Sequence, residues 1–139
     1  MAEIKSTQGA AQAIAATALR AQQARMRVIA ENMANANSTS QQAGGDPYRR
    51  QVPVFEPAKI DAGQGVRMAK VQPDQSAFRT EYEPGHPSAD AQGYVKLPNV
   101  NTLVEAMDMR EAQRAYEANL NVIETARAME MRVLDLLKR

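Results

Sequence analysis

"NTLVEAMDMREAQRAYEANLNVIETARAMEMRVLDLLKR", residues 101–139, contains neither proline nor glycine, and its periodicity decides the fold. Positions 112, 115, 119, 122, 126, 129, 133 and 136 read Ala, Ala, Asn, Val, Ala, Met, Val and Leu. These steps of three and four mark one face of a helix. Tyr116, Leu120, Ile123 and Leu137 widen the stripe. Glu111–Arg114, Glu124–Arg127 and Asp135–Lys138 lie on the same turns and support a solvated opposite face. The run predicts a helix of roughly 40 residues, about 55–60 Å long. Upstream, "LPNVNT" marks its start: Pro98 discourages earlier helix, and Asn99 or Asn101 can cap the first free amides.

The opposite end of the chain repeats the pattern. Positions 15, 19, 22, 26, 29, 33 and 36 read Ala, Leu, Gln, Met, Ile, Met and Ala, again in steps of four and three. Neither proline nor glycine occurs between Ala10 and Ala43, so a helix from about Gly9 to about Ala36 is expected, stopped by the cluster "NANSTSQQAGGDP". Gln22 is the misfit. A polar residue in an apolar seam selects a register or a partner, although a place on the rim is the commoner explanation. The two seams can pack on each other as a hairpin. Both are thin and rich in Ala, Met and Gln, so a lone copy buries little surface against the entropy of ordering it. The arms are therefore expected to be marginal alone and to firm up when copies associate.

Between the arms, residues 41–98 hold all seven prolines and six of the seven glycines. "YRRQVPVFE", "GVRMAKVQ" and "GYVKL" are strand-like pieces bounded by turns, and Pro53 demotes the first to an edge. The expected fold class is mainly α with a small β-rich insert. Its expected segments are a helical arm over 1–40, an irregular, β-rich middle over 41–98, and a second helical arm over 99–139.

Composition narrows the function. With 17 basic and 16 acidic side chains in 139 residues, and net charges of +2, 0 and −1 for the three segments, no basic face for nucleic acid is implied. Cysteine is absent, which removes disulfides and thiolate metal sites. No stretch approaches the roughly 20 apolar residues of a membrane span. "AAQAIAATALRAQQA" lacks a basic leader and a leucine-rich centre, so no cleaved signal peptide is expected.

The one stretch that invites a catalytic reading is "YEPGHPSADAQGYVKLPNVN", residues 82–101. His86, Ser88 and Asp90 sit at i, i+2 and i+4, whereas a triad is normally assembled from separate segments, and no nucleophile elbow accompanies them. One histidine with scattered carboxylates lacks the ligand spacing of a metal site. Glu81 and Glu83 share the face of an extended strand, more often a solvated edge than an acid–base pair. "GQG" at 63–65 has no strand–helix frame for a phosphate, and "NST" at Asn37 is a weak glycosylation signal. No catalytic residue, cofactor or metal is expected. The stretch carries backbone instruction instead: Pro84, Pro87 and Pro98 fix φ, Gly85 and Gly93 permit positive φ, and Tyr94 opens a strand that leads, past Asn99, into the last helix.

Four stretches together, "RMRVIAENMANANSTS", "PYRRQ", "YEPGHPSADAQGYVKLPNVN" and "EAMDMREAQRAYEANLNVIETARAM", resemble in order and spacing the bacterial flagellar basal-body rod proteins, and among them the subunits of the proximal rod. The likeness covers nearly the whole chain. The amino-terminal segment is shared among flagellar axial proteins generally, and the block from Pro84 to Asn99 is more specific. Met33 departs from the family's usual aliphatic residue, and the first five residues carry no family pattern.

The resemblance implies a structural subunit, not an enzyme. Its terminal helices pair as a coiled-coil-like arm, line the inner tube of the axial structure, and leave the middle further out. It implies a hollow, torque-transmitting rod that encloses the export channel, located in the periplasmic part of the basal body and exported without a cleaved leader. The partners implied are other rod proteins and copies of itself, the MS ring and export gate, and the flagellar type III export apparatus. Neither nucleic acid nor membrane insertion is implied. The family motif falls on Asn32, Ala34, Asn35 and Asn37, and on Tyr94, Pro98, Asn99, Tyr116 and Asn119, in packing and capping roles. Together with the seams, the expected subunit-packing set is Leu19, Met26, Ile29, Asn32, Met33, Asn35, Asn37, Tyr116, Asn119, Val122, Ile123, Ala126, Met129, Val133 and Leu136. Two other readings stay open at this point, a different axial component or a soluble helical adaptor or chaperone.

Overall fold

A computed structural model of the chain describes residues 2–139, with side chains from Thr7 onward. In chain order it holds α1 (Ala2–Ala34), β1 (Gln51–Ile60), β2 (Gly63–Pro73), β3 (Arg79–Tyr82), β4 (Tyr94–Leu97) and α2 (Thr102–Leu137). The strands form two two-stranded sheets, β1–β2 and β3–β4, so the class is mainly α with a small β insert.

α1 starts well before Gly9, which lies inside it. A single glycine costs a helix only about 1 kcal/mol, and the Ala- and Gln-rich neighbours carry the helix through it. α1 stops where Asn35 folds its amide side chain onto the carbonyl of Glu31, 2.9 Å away, offering the chain a local bond that competes with the helix. α2 begins behind Asn101, whose Oδ1 accepts the amides of Leu103 (3.0 Å) and Val104 (3.4 Å). Of the two asparagines expected to cap this helix, Asn101 does so.

Pro53 and Pro57 lie in β1. A two-stranded sheet consists of edges, so a strand can carry prolines without leaving a central ladder short of donors. β3 and β4 pair antiparallel, with Thr80 opposite Lys96 and Tyr82 opposite Tyr94.

The chain forms two compact units, each drawing on both helices and the middle. The first comprises Met1–Met26, Val54–Lys70 and Glu111–Arg139. Here Arg25 meets Glu111 at 3.7 Å, and Gln8 lines a cleft with Val133 and Leu134, so the two helices run antiparallel within this unit. Its most buried side chains are the small Ala15, Ala21, Ala112 and Ala126. β2 approaches α1 at Gly65, where a Cβ would sit 2.5 Å from Thr17 Oγ1. That hydroxyl accepts the amide of Val66 at 3.1 Å. Gln22 is half-buried, with its Oε1 shielded and without a hydrogen-bond partner among the described residues, as is Nε2 of Gln12.

The second unit comprises Arg27–Pro53 and Val71–Arg110. Its apolar core is Val28, Ile29, Ala36, Val95 and Val100, and it also buries Asn32, Ser88 and Glu105.

Along α2 the shielded positions run Glu105, Met109, Ala112, Tyr116, Asn119, Ile123, Ala126, Glu130 and Val133, while Val122, Met129 and Leu136 are exposed. The inward row is therefore turned by a fraction of a residue from the most apolar one. Two glutamates and a tyrosine take inward places, and one of them, Glu105, is engaged there by Arg50 and Asn32.

Candidate functional site

Two features stand out, a buried polar cluster in the second unit and an uncovered apolar face on α2. The cluster is built around "YRRQ", residues 48–51, which enter β1. Asn32, nearly fully buried near the end of α1, accepts the Tyr48 hydroxyl at 2.7 Å and the Gln51 amide at 2.9 Å through Oδ1. Its Nδ2 donates to the Gln51 carbonyl at 2.8 Å and to Glu105 Oε2 at 3.4 Å. The side chain thus imitates a strand partner for Gln51, giving and receiving a backbone bond as a ladder residue does.

Arg50 is the hub on the α2 side. Its Nε pairs with Glu105, whose side chain is 0% exposed, and its terminal nitrogens reach Asp74 at 3.3 Å and Asp108 at 3.7 Å. Burial presses the Arg50 pKa down, but the bonds and charges of Glu105 and Asp74 outweigh it and raise the pKa overall. Asp74 is held below the usual aspartate value, first by the Ser76 amide and hydroxyl and then by Arg50. The Tyr48 phenol is pushed up by burial and by the charges of Glu31 and Glu105. Asn99 accepts the Arg50 amide at 2.7 Å and donates to the carbonyls of Asp74 and Ser76, both at 3.1 Å. Arg49 donates to the same two carbonyls and lies 4.2 Å above the Phe78 ring. Charges and amides of the cluster are matched to one another, and their bonds tie the entry to β1 to both helices and to the Asp74–Ser76 turn.

The loop from Pro84 to Gly93 likewise directs its polar side chains at backbone groups. Ser88 is buried and donates its hydroxyl to the Ser40 carbonyl, while His86 Nδ1 accepts the Ser88 amide at 3.0 Å. Asp90 Oδ1 accepts the amides of Gln92 and Tyr94, both at 2.9 Å. His86 and Asp90 each close a local turn and Ser88 ties the loop to the Ser40 carbonyl, so each of the three is committed to backbone. No grouping of His, Asp or Glu suited to a metal exists among the described residues. Of the two glycines expected to use positive φ in this loop, Gly93 does, at φ 87°, and Gly85 does not; a Cβ at Gly93 would stand 2.9 Å from the Tyr82 ring, which packs edge-on against Tyr94 at 5.3 Å.

The uncovered face is on α2. In the second unit Leu103 is 70% and Met107 63% exposed, and in the first Val122 is 46%, Met129 49% and Leu136 69% exposed. Also in the first unit, an apolar groove of about 400 Å³ lies between Thr7, Gln8 and Ala11 of α1 and Val122, Thr125 and Met129 of α2.

The expected packing residues divide between these environments. Ile29, Asn32 and Ala126 are buried; Leu19, Met26, Asn35, Tyr116, Asn119, Ile123 and Val133 are half-buried; Met33, Asn37, Val122, Met129 and Leu136 are exposed. Of the turn residues, Gly93 and Pro98 are buried, Asn99 is half-buried, and Pro84, Gly85, Pro87 and Tyr94 are exposed. Reasoning from residues alone misses Tyr48, Arg50, Asp74, Glu105 and Asp108. Their one local signal is a glutamate at an inward helical step, Glu105 seven residues before Ala112.

Residues 91–136 match the family described as flagellar basal body rod FlgEFG protein C-terminal. Over 132 residues the chain is 47% identical to the flagellar basal-body rod protein FlgC of Agrobacterium fabrum (strain C58), covering 93% of this chain and 94% of that protein. It is 42% identical over 125 residues to the FlgC of Salmonella typhimurium (strain LT2), covering 88% and 92%. With the FlgC of Bacillus subtilis (strain 168) the identity is 34% over 142 residues, covering 90% and 95%.

Proposed function

Because the chain belongs to the FlgC family of flagellar basal-body rod proteins and is a structural subunit of that rod, we propose that it polymerises through its terminal helices. The observation that carries this reading is the exposed apolar face of α2. Large apolar side chains at Leu103, Met107, Val122, Met129 and Leu136 share one side of the helix and remain largely in water in a single copy, and burying each against a neighbour contributes on the order of 1–2 kcal/mol. Residues 1–40 and 99–139 act as paired arms, coiled-coil-like in their packing, and 41–98 as the outer insert. Leu19, Met26, Met33, Val122, Met129 and Leu136 pack between subunits, and Asn35, Asn37 and Asn119 tie helix ends and neighbouring backbones.

The assembled product is a hollow axial structure in the periplasm that transmits torque and encloses the export channel. Assembly with other rod components follows from the family; the MS ring, the export gate and the type III export apparatus are the further partners proposed. The subunit performs no catalysis, and its chemistry is recognition between helices.

Val122→Asp and Met129→Asp test the proposal. Each places a carboxylate on the exposed face without removing a buried group. Expressed in cells lacking their own copy, the variants should keep the helical circular-dichroism signal when purified, yet be missing from isolated basal bodies and leave the cells non-motile. Basal bodies containing either variant at the normal level would refute the assignment of this face.

A further inference from the structure

In the first unit the side chains that α1 buries are alanines, Ala15 and Ala21, with Gln8, Ala11, Ala18, Leu19 and Gln22 half-buried beside them, and methyl groups meet much the same surface after a slide of one or two turns. Such a seam does not select its own alignment.

The second unit supplies what the alanines lack. Asn32 of α1 bonds to Tyr48, Gln51 and Glu105, and Arg50 bonds to Glu105 and Asp108 of α2. We propose that the tetrapeptide Tyr48–Gln51 is a register key, a crosspiece that locks α1 and α2 into a single alignment. The slides that return nearly the same helix face are of four and seven residues. A slide of four puts Val28 or Ala36 at the place of Asn32, and a slide of seven toward the N-terminus puts Arg25 there. None of these side chains accepts the Tyr48 hydroxyl and the Gln51 amide, since valine and alanine have no polar atom and arginine only donates. Misalignment also parts Glu105 from its partners, leaving a fully buried carboxylate unpaired, which is strongly unfavourable. A buried ion pair adds little net stability compared with apolar groups of the same size. The role of this one is to make wrong alignments costly.

The test separates alignment from stability. The chain has no cysteine, so thiols introduced at Ala30 and Arg110, both exposed and in the same unit, take spin labels without ambiguity. Distances measured by pulsed electron resonance in the free subunit do not depend on whether the chain assembles as proposed above. In the otherwise native protein one narrow distance is expected. In R50M/E105M, which replaces the pair by apolar chains of similar volume, the helical signal and thermal midpoint should persist. The distance should then split, with a second population displaced by about 6–10 Å along the helix axis. A single narrow distance in the folded double variant overturns the proposal. If R50M/E105M does not fold, R50K decides: lysine keeps the charge but not the guanidinium fork, so a minor second distance is expected, and an unsplit one overturns the proposal.

Discussion

Asp74 shows how the polar cluster depends on single protons. Its Oδ1 accepts the Ser76 amide at 2.9 Å, and its Oδ2 faces Arg50 at 3.3 Å. Both favour the charged form, and the pKa is lowered from the ordinary value near 3.8. A carboxyl whose folded value is depressed stabilises the fold above its unfolded value, and that contribution disappears as pH falls through the folded one. Stability should therefore decline below about pH 4, and Asp74→Asn should flatten this acid limb. At neutral pH the same variant should lose about 1 kcal/mol, after allowance for partial exposure. Urea titrations of both proteins between pH 3 and pH 7 provide the check, and an unchanged acid limb in the variant would show that Asp74 does not carry the dependence.

At the scale of an element, α2 relies on Asn101 for its first turn. Two free amides end on its Oδ1, so Asn101→Ala should cost about 1 kcal/mol, and Asn101→Asp should preserve the cap and suit the helix dipole. Equal denaturation midpoints for Asn101→Ala and the parent would move the cap elsewhere. This helix also shows which parts of the fold are legible in the residues. Its existence and length follow from local facts: no proline or glycine after Asn101, apolar steps of three and four, and a polar cap. Which row faces inward does not follow. Glu105 sits in the first turn, where an acidic residue is ordinary for a solvated helix end. Arg50, 55 residues earlier, and Asn32, 73 residues earlier, make it a buried partner. Asn32 and Asn99 are legible as polar residues at helix boundaries, but the strand entry that Asn32 completes and the Arg50 amide that Asn99 accepts are long-range bonds. Local periodicity carries no information about them. β3 is short and fully exposed, which leaves no alternation for a pattern to detect.

Over the whole molecule the two units differ in how firmly they are held. The first buries mainly alanines and, among the described residues, gives no partner to two buried amide atoms, of Gln12 and Gln22, whereas the second is closed by a matched polar cluster. Local opening follows such differences. In dilute solution, backbone hydrogen exchange should be faster in residues 8–22 and 115–137 than in 28–34 and 104–110, by on the order of tenfold or more. Slowing of the first set on assembly would fit the role proposed for the helices, and uniform protection in the free subunit would contradict it. The edge-on pair of Tyr82 and Tyr94, closed over Gly93, has a practical consequence. The chain has no tryptophan, and three of its four tyrosines lie between residues 48 and 94, so ultraviolet emission and near-ultraviolet dichroism are dominated by the insert. Far-ultraviolet signals come mainly from α1 and α2. The subunit therefore reports on its two kinds of structure at separate wavelengths, and a rod-export experiment can follow each without attaching a dye.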